Sequence, residues 1–430
     1  MVQTTIMTKI NKATPASKAN NNMGNSSNKS LNLGFLSGSM MGATQYDEHH
    51  KPKQLFRPAL ALGLVITSIL LTSCTSVPLR QPQATQKSSP KASAHAISNA
   101  ELHPVSWGQL PGWREDDLTA AWPAWQRSCQ GLNKRNPSGL NWRSVCAASI
   151  KVDGADNNSI RRYFENHMKV MEIRHQSGPS AGGVHGLVTG YYEPYLNGAR
   201  ARGGVYQTAI HQYPSAWKKR KPSTLPTRAE LMSSGQLSGQ EILWVDDPVA
   251  AAFMQVQGSG RVRMSDGKVV RLGFAGTNDQ PFKSFAQWLL DRKEINRSTA
   301  TMQGIQAWAK KNPQRVQEML NANPRYVFFR ELPATTDANV GPIGSLGVPL
   351  TAERSIAVDT KILPLGAPIF LATTYPLSDK PIQRLMMAQD TGSAIIGAVR
   401  ADFYWGTGDQ AGEQAGRMKQ QGRMWILLPQ

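Results

Sequence analysis

Ala357-Val-Asp359-Thr-Lys-Ile-Leu-Pro-Leu-Gly366, Leu385-Met-Met-Ala-Gln-Asp390-Thr-Gly-Ser-Ala394 and Ala401-Asp402-Phe-Tyr-Trp-Gly406 place three aspartates in apolar text punctuated by glycine and proline. Short apolar runs bounded by such turn residues read as buried β-strands. The last of the eight histidines is His211 and the last of the three cysteines is Cys146. Downstream of these, no Ser-His-Asp or Cys-His nucleophile and no histidine-rich zinc site can be built. Any chemistry in this half is carried by carboxylates.

Asp390 reads as the acid. The apolar run Leu385 to Ala388 carries it into a desolvated place, and Thr391-Gly392 turns the backbone away so that the carboxyl faces a cleft. Desolvation raises an aspartate above its ordinary value of about 3.9 and keeps part of it protonated near neutrality. Asp359 and Asp402 read as supporting groups. Asp359 can cap the turn into Pro364-Leu-Gly366, and Asp402 can tie down the strand that follows it.

Outward from this segment, the chain alternates helical and strand text. Asp116 to Cys129, the stretch around Trp142 to Cys146, and Asn157 to Ile173 repeat apolar residues at helical spacing. From Val184 strands and turns take over, with Asp266-Gly267 as hairpin punctuation. Two helices are expected over Phe282 to Ile295 and Ser298 to about Ala322, and strands return from Arg325 to the end.

The N-terminal region reads as an address. Residues 1–50 are polar and Asn/Ser/Lys-rich, consistent with disorder or an overcalled start, with Met41 as an alternative initiator. Lys51, Lys53 and Arg57 precede the apolar run Ala59 to Leu71 and then Leu71-Thr-Ser-Cys74. That order is a secretion signal, shorter than the ~20 residues of a membrane span. Its ending resembles the lipobox of bacterial lipoproteins, which makes Cys74 the acylated first mature residue. Thr75 at the following position favours the outer membrane by the lipoprotein sorting pattern. Residues 75–100, rich in Pro, Ser, Gln and Ala, read as a tether. The formal charge is +19, and residues 1–73 hold seven Lys/Arg and two Asp/Glu, leaving +14 from Cys74 onward. Outside the cytoplasm a basic surface points to an acidic polymer and away from nucleic acid. In an oxidising compartment Cys129 and Cys146 could form a disulfide; the alternative is two buried thiols on neighbouring helices.

Five separated motifs agree in order with one family. Val188-Thr-Gly-Tyr-Tyr-Glu-Pro194, Gln255-Val-Gln-Gly-Ser-Gly-Arg261, Tyr326-Val-Phe-Phe329, the Leu385 to Asp402 segment and Ala411 to Trp425 together resemble the membrane-bound lytic murein transglycosylase A family. The resemblance implies an α+β, mainly β fold: a double-psi β-barrel catalytic domain from residues 101–200 and 325–430, with a smaller β-rich substrate-binding domain, 201–324, inserted between and a groove separating the two. It implies cleavage of the β-1,4 bond between N-acetylmuramic acid and N-acetylglucosamine in peptidoglycan strands, leaving a 1,6-anhydromuramoyl end. One aspartate, at the position of Asp390, would act as acid and then as base.

Around it, Thr189, Tyr191 and Gln257 would hydrogen-bond substituents of the sugar, and Gly258 and Gly260 would admit the glycan close to the backbone. Trp405 would stack on a sugar face or fill the core, and Glu193 would assist binding. No metal or organic cofactor is implied. Two other readings stand beside this one: a non-catalytic peptidoglycan-binding scaffold, and a muramidase that adds water.

Overall fold

A computed structural model describes residues 100–430 apart from 136–139, 177–179, 220–224, 336, 338 and 339. The signal segment, Cys74 and residues 74–99 of the tether lie outside the described residues.

Along the chain, β1 (Ala100–Val105) leads through α1 (Leu118–Arg135), α2 (Trp142–Ala148) and α3 (Asn157–His167) to β2 (Met168–His175). Helix α3 ends six residues earlier than the periodicity suggests. Met168-Lys-Val-Met-Glu-Ile-Arg-His175 instead pairs antiparallel with β1, and Met168 is already extended at the helix C-cap. The apolar residues at alternate positions of this run suit a half-buried strand as well as a helix, and tertiary pairing selects the strand. The α1 to α3 layer packs on the first sheet through fully buried Trp125, Trp142 and Phe164. Trp125 Nε1 donates to Tyr163 Oη at 3.0 Å, which donates to the Val145 carbonyl at 2.8 Å, so these two polar tips are satisfied, whereas the buried Trp142 Nε1 has no partner among the described residues.

β3 (Gly186–Glu193) belongs to the first sheet, and after Pro194 the chain enters a second sheet at β4 (Tyr195–Ala199). That sheet also holds β5 (Thr208–His211), β6 (Glu241–Val245), β7 (Ser259–Met264), β8 (Val269–Thr277) and β9 (Val327–Glu331), in the order β5-β6-β4-β7-β8-β9. The Asp266-Gly267 turn joins antiparallel β7 and β8, with Gly267 at φ +83°. Helices α4 (Arg228–Ser234), α5 (Pro248–Gln257), α6 (Phe285–Asp291), α7 (Met302–Lys311) and α8 (Val316–Asn321) pack around it. The single helix expected over 298–322 is broken after Lys311 because Pro313 cannot donate within a helix interior.

The chain then returns to the first sheet with β10 (Ser355–Val358), β11 (Pro368–Thr374), β12 (Pro381–Asp390), β13 (Arg400–Thr407), α9 (Asp409–Arg417) and β14 (Lys419–Pro429). Six strands pair in the cycle β14-β11-β12-β10-β13-β3, and β3 pairs back to β14, which closes a ring. Two of the ring's pairs, β10 with β12 and β13 with β3, are parallel; the others are antiparallel. Closure leaves no free sheet edge within the ring.

Cys129 of α1 and Cys146 of α2 are joined as a disulfide, their Cα atoms 5.4 Å apart.

Candidate active site

Strand register brings two of the three aspartates together. Ala357 of β10 pairs with Asp390 of β12 on one side and with Asp402 of β13 on the other. The two aspartates therefore sit two strands apart, roughly 10 Å between backbones, with a single small residue between. Across β13, Thr189 of β3 is directly opposite Asp402, and Tyr191 is opposite Tyr404. Tyr191, Leu350, Ala357, Ile395 and Tyr404 form the apolar floor of this patch.

The two carboxyls are held differently. Asp390 Oδ1 accepts from the Ser345 backbone N–H at 2.9 Å and from Ser345 Oγ at 2.8 Å, while Oδ2 accepts from Tyr191 Oη at 3.1 Å. Burial pushes its carboxyl above the ordinary value, and these donors pull against that shift. Asp402 Oδ1 accepts from Thr189 Oγ1 at 2.6 Å, and Thr189 in turn accepts from Arg400 at 2.9 Å. Among the described residues no donor reaches Asp402 Oδ2. Its pKa is raised to about 6, chiefly by desolvation; the Thr189 bond and Arg400 lower it, and Asp390 raises it. Tyr191 is raised well above the usual tyrosine value, first by burial and then by the Asp390 charge, so it stays a donor.

Asp359 has a different surrounding. It is buried, with Oδ1 accepting from the Lys361 N–H at 3.0 Å and Oδ2 from the Gly397 N–H at 2.9 Å. It caps the turn after β10 and ties it to the loop after β12.

Of the groups expected to line a glycan site, Thr189 and Tyr191 touch the two carboxyls. Gln257 is half-buried and accepts the Tyr192 N–H at 3.1 Å through Oε1, and Gly258 at φ +82° ends α5 with open space where a Cβ would stand. Three others are enclosed. Glu193 is fully buried in an ion pair with Arg261 at 2.7 Å and also accepts from Thr407 Oγ1 at 3.0 Å, which removes it from a sugar's reach. A Cβ on Gly260 would lie 2.4 Å from Met254 Sδ, so this glycine serves the packing of β7 on α5 and not the approach of a ligand. Trp405 is a core residue, with its ring against Phe403 and Tyr375 and its Nε1 donating to Met418 Sδ at 3.3 Å.

Sequence reasoning missed Ser345. Gly341-Pro-Ile-Gly-Ser345-Leu-Gly347 reads as a turn, and its glycine density was the available signal for a backbone N–H presented to an acid.

Two surface clefts, of about 560 Å³ beside Asp116, Arg354 and Arg384 and about 630 Å³ beside Lys151, Arg162 and His167, involve none of the three aspartates. Among the described residues no set of His, Cys, Asp and Glu converges as metal ligands, and no helix is long and apolar enough to cross a membrane.

Residues 187–330 match the family described as the MltA specific insert domain, and residues 354–428 match the 3D domain family. The chain is 34% identical over 250 residues to the membrane-bound lytic murein transglycosylase A of Escherichia coli (strain K12), covering 56% of this chain and 64% of that protein. The matched part is thus just under two thirds of that relative's length. The solved lytic transglycosylase LtgG of Burkholderia pseudomallei is 50% identical, covering 78% of this chain and 98% of its own, with a TM-score of 0.55. The crystal structure of E. coli MltA with bound chitohexaose is 25% identical, covering 76% of this chain and 91% of its own, with a TM-score of 0.56. On these motifs, this ring of strands and these likenesses, the chain belongs to the membrane-bound lytic murein transglycosylase A family.

Proposed function

We propose that this protein is a peptidoglycan lytic transglycosylase that cleaves the β-1,4 bond between N-acetylmuramic acid and N-acetylglucosamine, with Asp402 in place of Asp390 as its acid and base. The carrying observation is the contrast between the two carboxyls. Asp402 has one oxygen held by Thr189, the other without a donor among the described residues, and a pKa raised to about 6. Such a group is partly protonated at neutral pH and able to give its proton away. Asp390 has three donors on its two oxygens and serves better as a fixed charge that keeps its neighbour protonated.

Protonated Asp402 donates to the glycosidic oxygen as the C1–O bond breaks. The resulting carboxylate then takes the proton of the muramoyl C6 hydroxyl as that oxygen closes on C1, so the carboxyl is regenerated and no water is consumed. A hydrolase would need a second carboxylate free to activate water, and Asp390 is occupied. The murein named for the E. coli relative and the chitohexaose bound by its structure support a β-1,4-linked amino-sugar glycan as substrate.

The same proposal takes the closed ring as a double-psi barrel, the second sheet as part of a substrate domain whose strands β4 and β9 carry it past the expected 201–324 to 195–331, and a glycan groove between them lined by Thr189, Tyr191, Gln257 and Gly258. It also takes Cys74 as the lipid site that holds the protein on the outer membrane, facing the periplasm. The test is a digest of purified peptidoglycan by the full-length protein. Anhydromuramoyl products that disappear with Asp402→Asn and persist at reduced rate with Asp390→Asn support the assignment. Reducing-end products overturn the transglycosylase, and a fully active Asp402→Asn protein overturns the choice of acid.

A further inference from the structure

Arg261 and Arg271 are directly opposite each other on antiparallel β7 and β8, and both are nearly fully buried, at 3% and 7% exposure. Like charges at opposed strand positions repel, and a buried guanidinium carries a desolvation cost unless it is paired. Arg261 has Glu193. Arg271 makes no ion pair among the described residues, and its Nε finds no hydrogen-bond partner there. A sheet position that a neutral residue could fill more cheaply thus holds a second buried cation.

One arm of each guanidinium, Nη2, reaches the same short stretch of backbone. Arg271 Nη2 donates to the Gly341 carbonyl at 2.7 Å and the Val340 carbonyl at 3.3 Å, and Arg261 Nη2 donates to the same Val340 carbonyl at 2.8 Å. Four residues on from Gly341, Ser345 gives both its N–H and its hydroxyl to Asp390. The stretch leaves the second sheet's side of the molecule and arrives at the ring's carboxyl pair. Gly341 also lies against the site's floor: a Cβ there would stand 3.1 Å from Tyr404 Oη. Guanidinium suits this task because its planar, five-donor head reaches the Val340 and Gly341 carbonyls through Nη2 and the Pro333 carbonyl through Nη1 in one fixed plane, which a compact ammonium does not reproduce.

We propose that Arg271, seconded by the Arg261–Glu193 pair, is a positioning residue: it fixes the 340–345 backbone so that Ser345 holds Asp390 beside Asp402, and so couples the second sheet to the reacting carboxyl. The inference rests on the functional reading above. Charged neighbours of Asp402 are Arg400 and Asp390, and Asp390 is touched by Ser345 and Tyr191. Loosening Ser345 removes two donors that favour ionised Asp390. Asp390 then holds its proton more readily, its negative field at Asp402 weakens, and Asp402 ionises at lower pH.

The test is a double-mutant cycle in the full-length protein, using Arg271→Lys, Ser345→Ala and the pair, with turnover of purified peptidoglycan followed across pH. The expected result is a fall of about tenfold in kcat for Arg271→Lys with KM within about twofold, an alkaline limb moved to lower pH as in Ser345→Ala, and a double variant no worse than Ser345→Ala alone. A wild-type limb in Arg271→Lys, or a double variant whose loss is the product of the two single losses, overturns the proposal. Arg271→Gln, which keeps a neutral donor and removes the buried charge, runs the same cycle if the lysine variant does not fold. The two readings fail separately. A fully active Asp402→Asn protein overturns the assignment of the acid, whereas an inactive one alongside an unaltered Arg271→Lys overturns the coupling alone.

Discussion

Asp402 is an aspartate whose folded-state pKa, about 6, lies above its ordinary value, so the folded protein binds that proton more tightly than the unfolded chain does. Above pH 6 the ionised carboxylate destabilises the fold, and the penalty disappears as pH falls toward 4. Asp402→Asn should therefore raise stability at pH 7 by about 1–3 kcal/mol, after allowance for its partial exposure, with the gain fading by pH 4. Chemical denaturation of both proteins at the two pH values measures it, and a gain that grows on acidification would contradict the assigned shift. The same proton governs activity: kcat/KM should fall as pH rises past about 6, and Asp390→Asn, by removing a neighbouring negative charge, should move that limb to lower pH. Asp402's environment was not legible in the sequence. Its hydrogen bond to Thr189 spans 213 positions and its relation to Asp390 runs through Ala357, whereas Asp390 could be read from its own strand and turn.

Elements were legible where local chemistry and tertiary pairing agree. The strand carrying Asp390 and the Asp266-Gly267 hairpin follow from runs and turn residues close in sequence, whereas Ala251 to Gln257, which read with the strands, lies in helix α5, capped by Asp247 and ended at Gly258. Met168 to His175 was misread because its spacing suits either element and its partner strand, β1, lies more than sixty residues earlier. Gly260 suggests ligand approach by composition, but Met254 occupies the space beside it. Gly260→Ala should cost roughly 1–3 kcal/mol by overpacking and leave KM unchanged; unaltered stability with a raised KM would return the glycine to the binding face. The Cys129–Cys146 disulfide closes a 17-residue separation between α1 and α2. Its removal by paired Cys→Ser substitution should lower stability by about 3 kcal/mol on the chain-entropy estimate, read as a shifted denaturant midpoint under non-reducing conditions.

At the scale of the whole molecule, the chain crosses from ring to second sheet at Pro194 and comes back after Glu331, and the buried residues Glu193, Arg261 and Arg271 stand at those crossings. Sequence motifs identified the family because five of them agree in order, but the closure of six strands into a ring and the convergence of two arginines on Gly341 and Val340 appear only once long-range pairings are made. The net charge of +14 from Cys74 onward predicts that binding to a glycan bearing carboxylated stem peptides weakens as salt rises from about 0.05 to 0.5 M. Sedimentation of the Asp402→Asn protein with purified sacculi checks this, and salt-independent binding would count against electrostatic capture.

The most direct test of the account is the mass of the muropeptides released from purified peptidoglycan by the wild-type, Asp402→Asn and Asp390→Asn proteins. The account predicts anhydromuramoyl ends from the wild type, none above background from Asp402→Asn, and a reduced yield of the same ends from Asp390→Asn. Reducing ends one water heavier, or anhydromuramoyl ends still formed at the wild-type rate by folded Asp402→Asn, would contradict it.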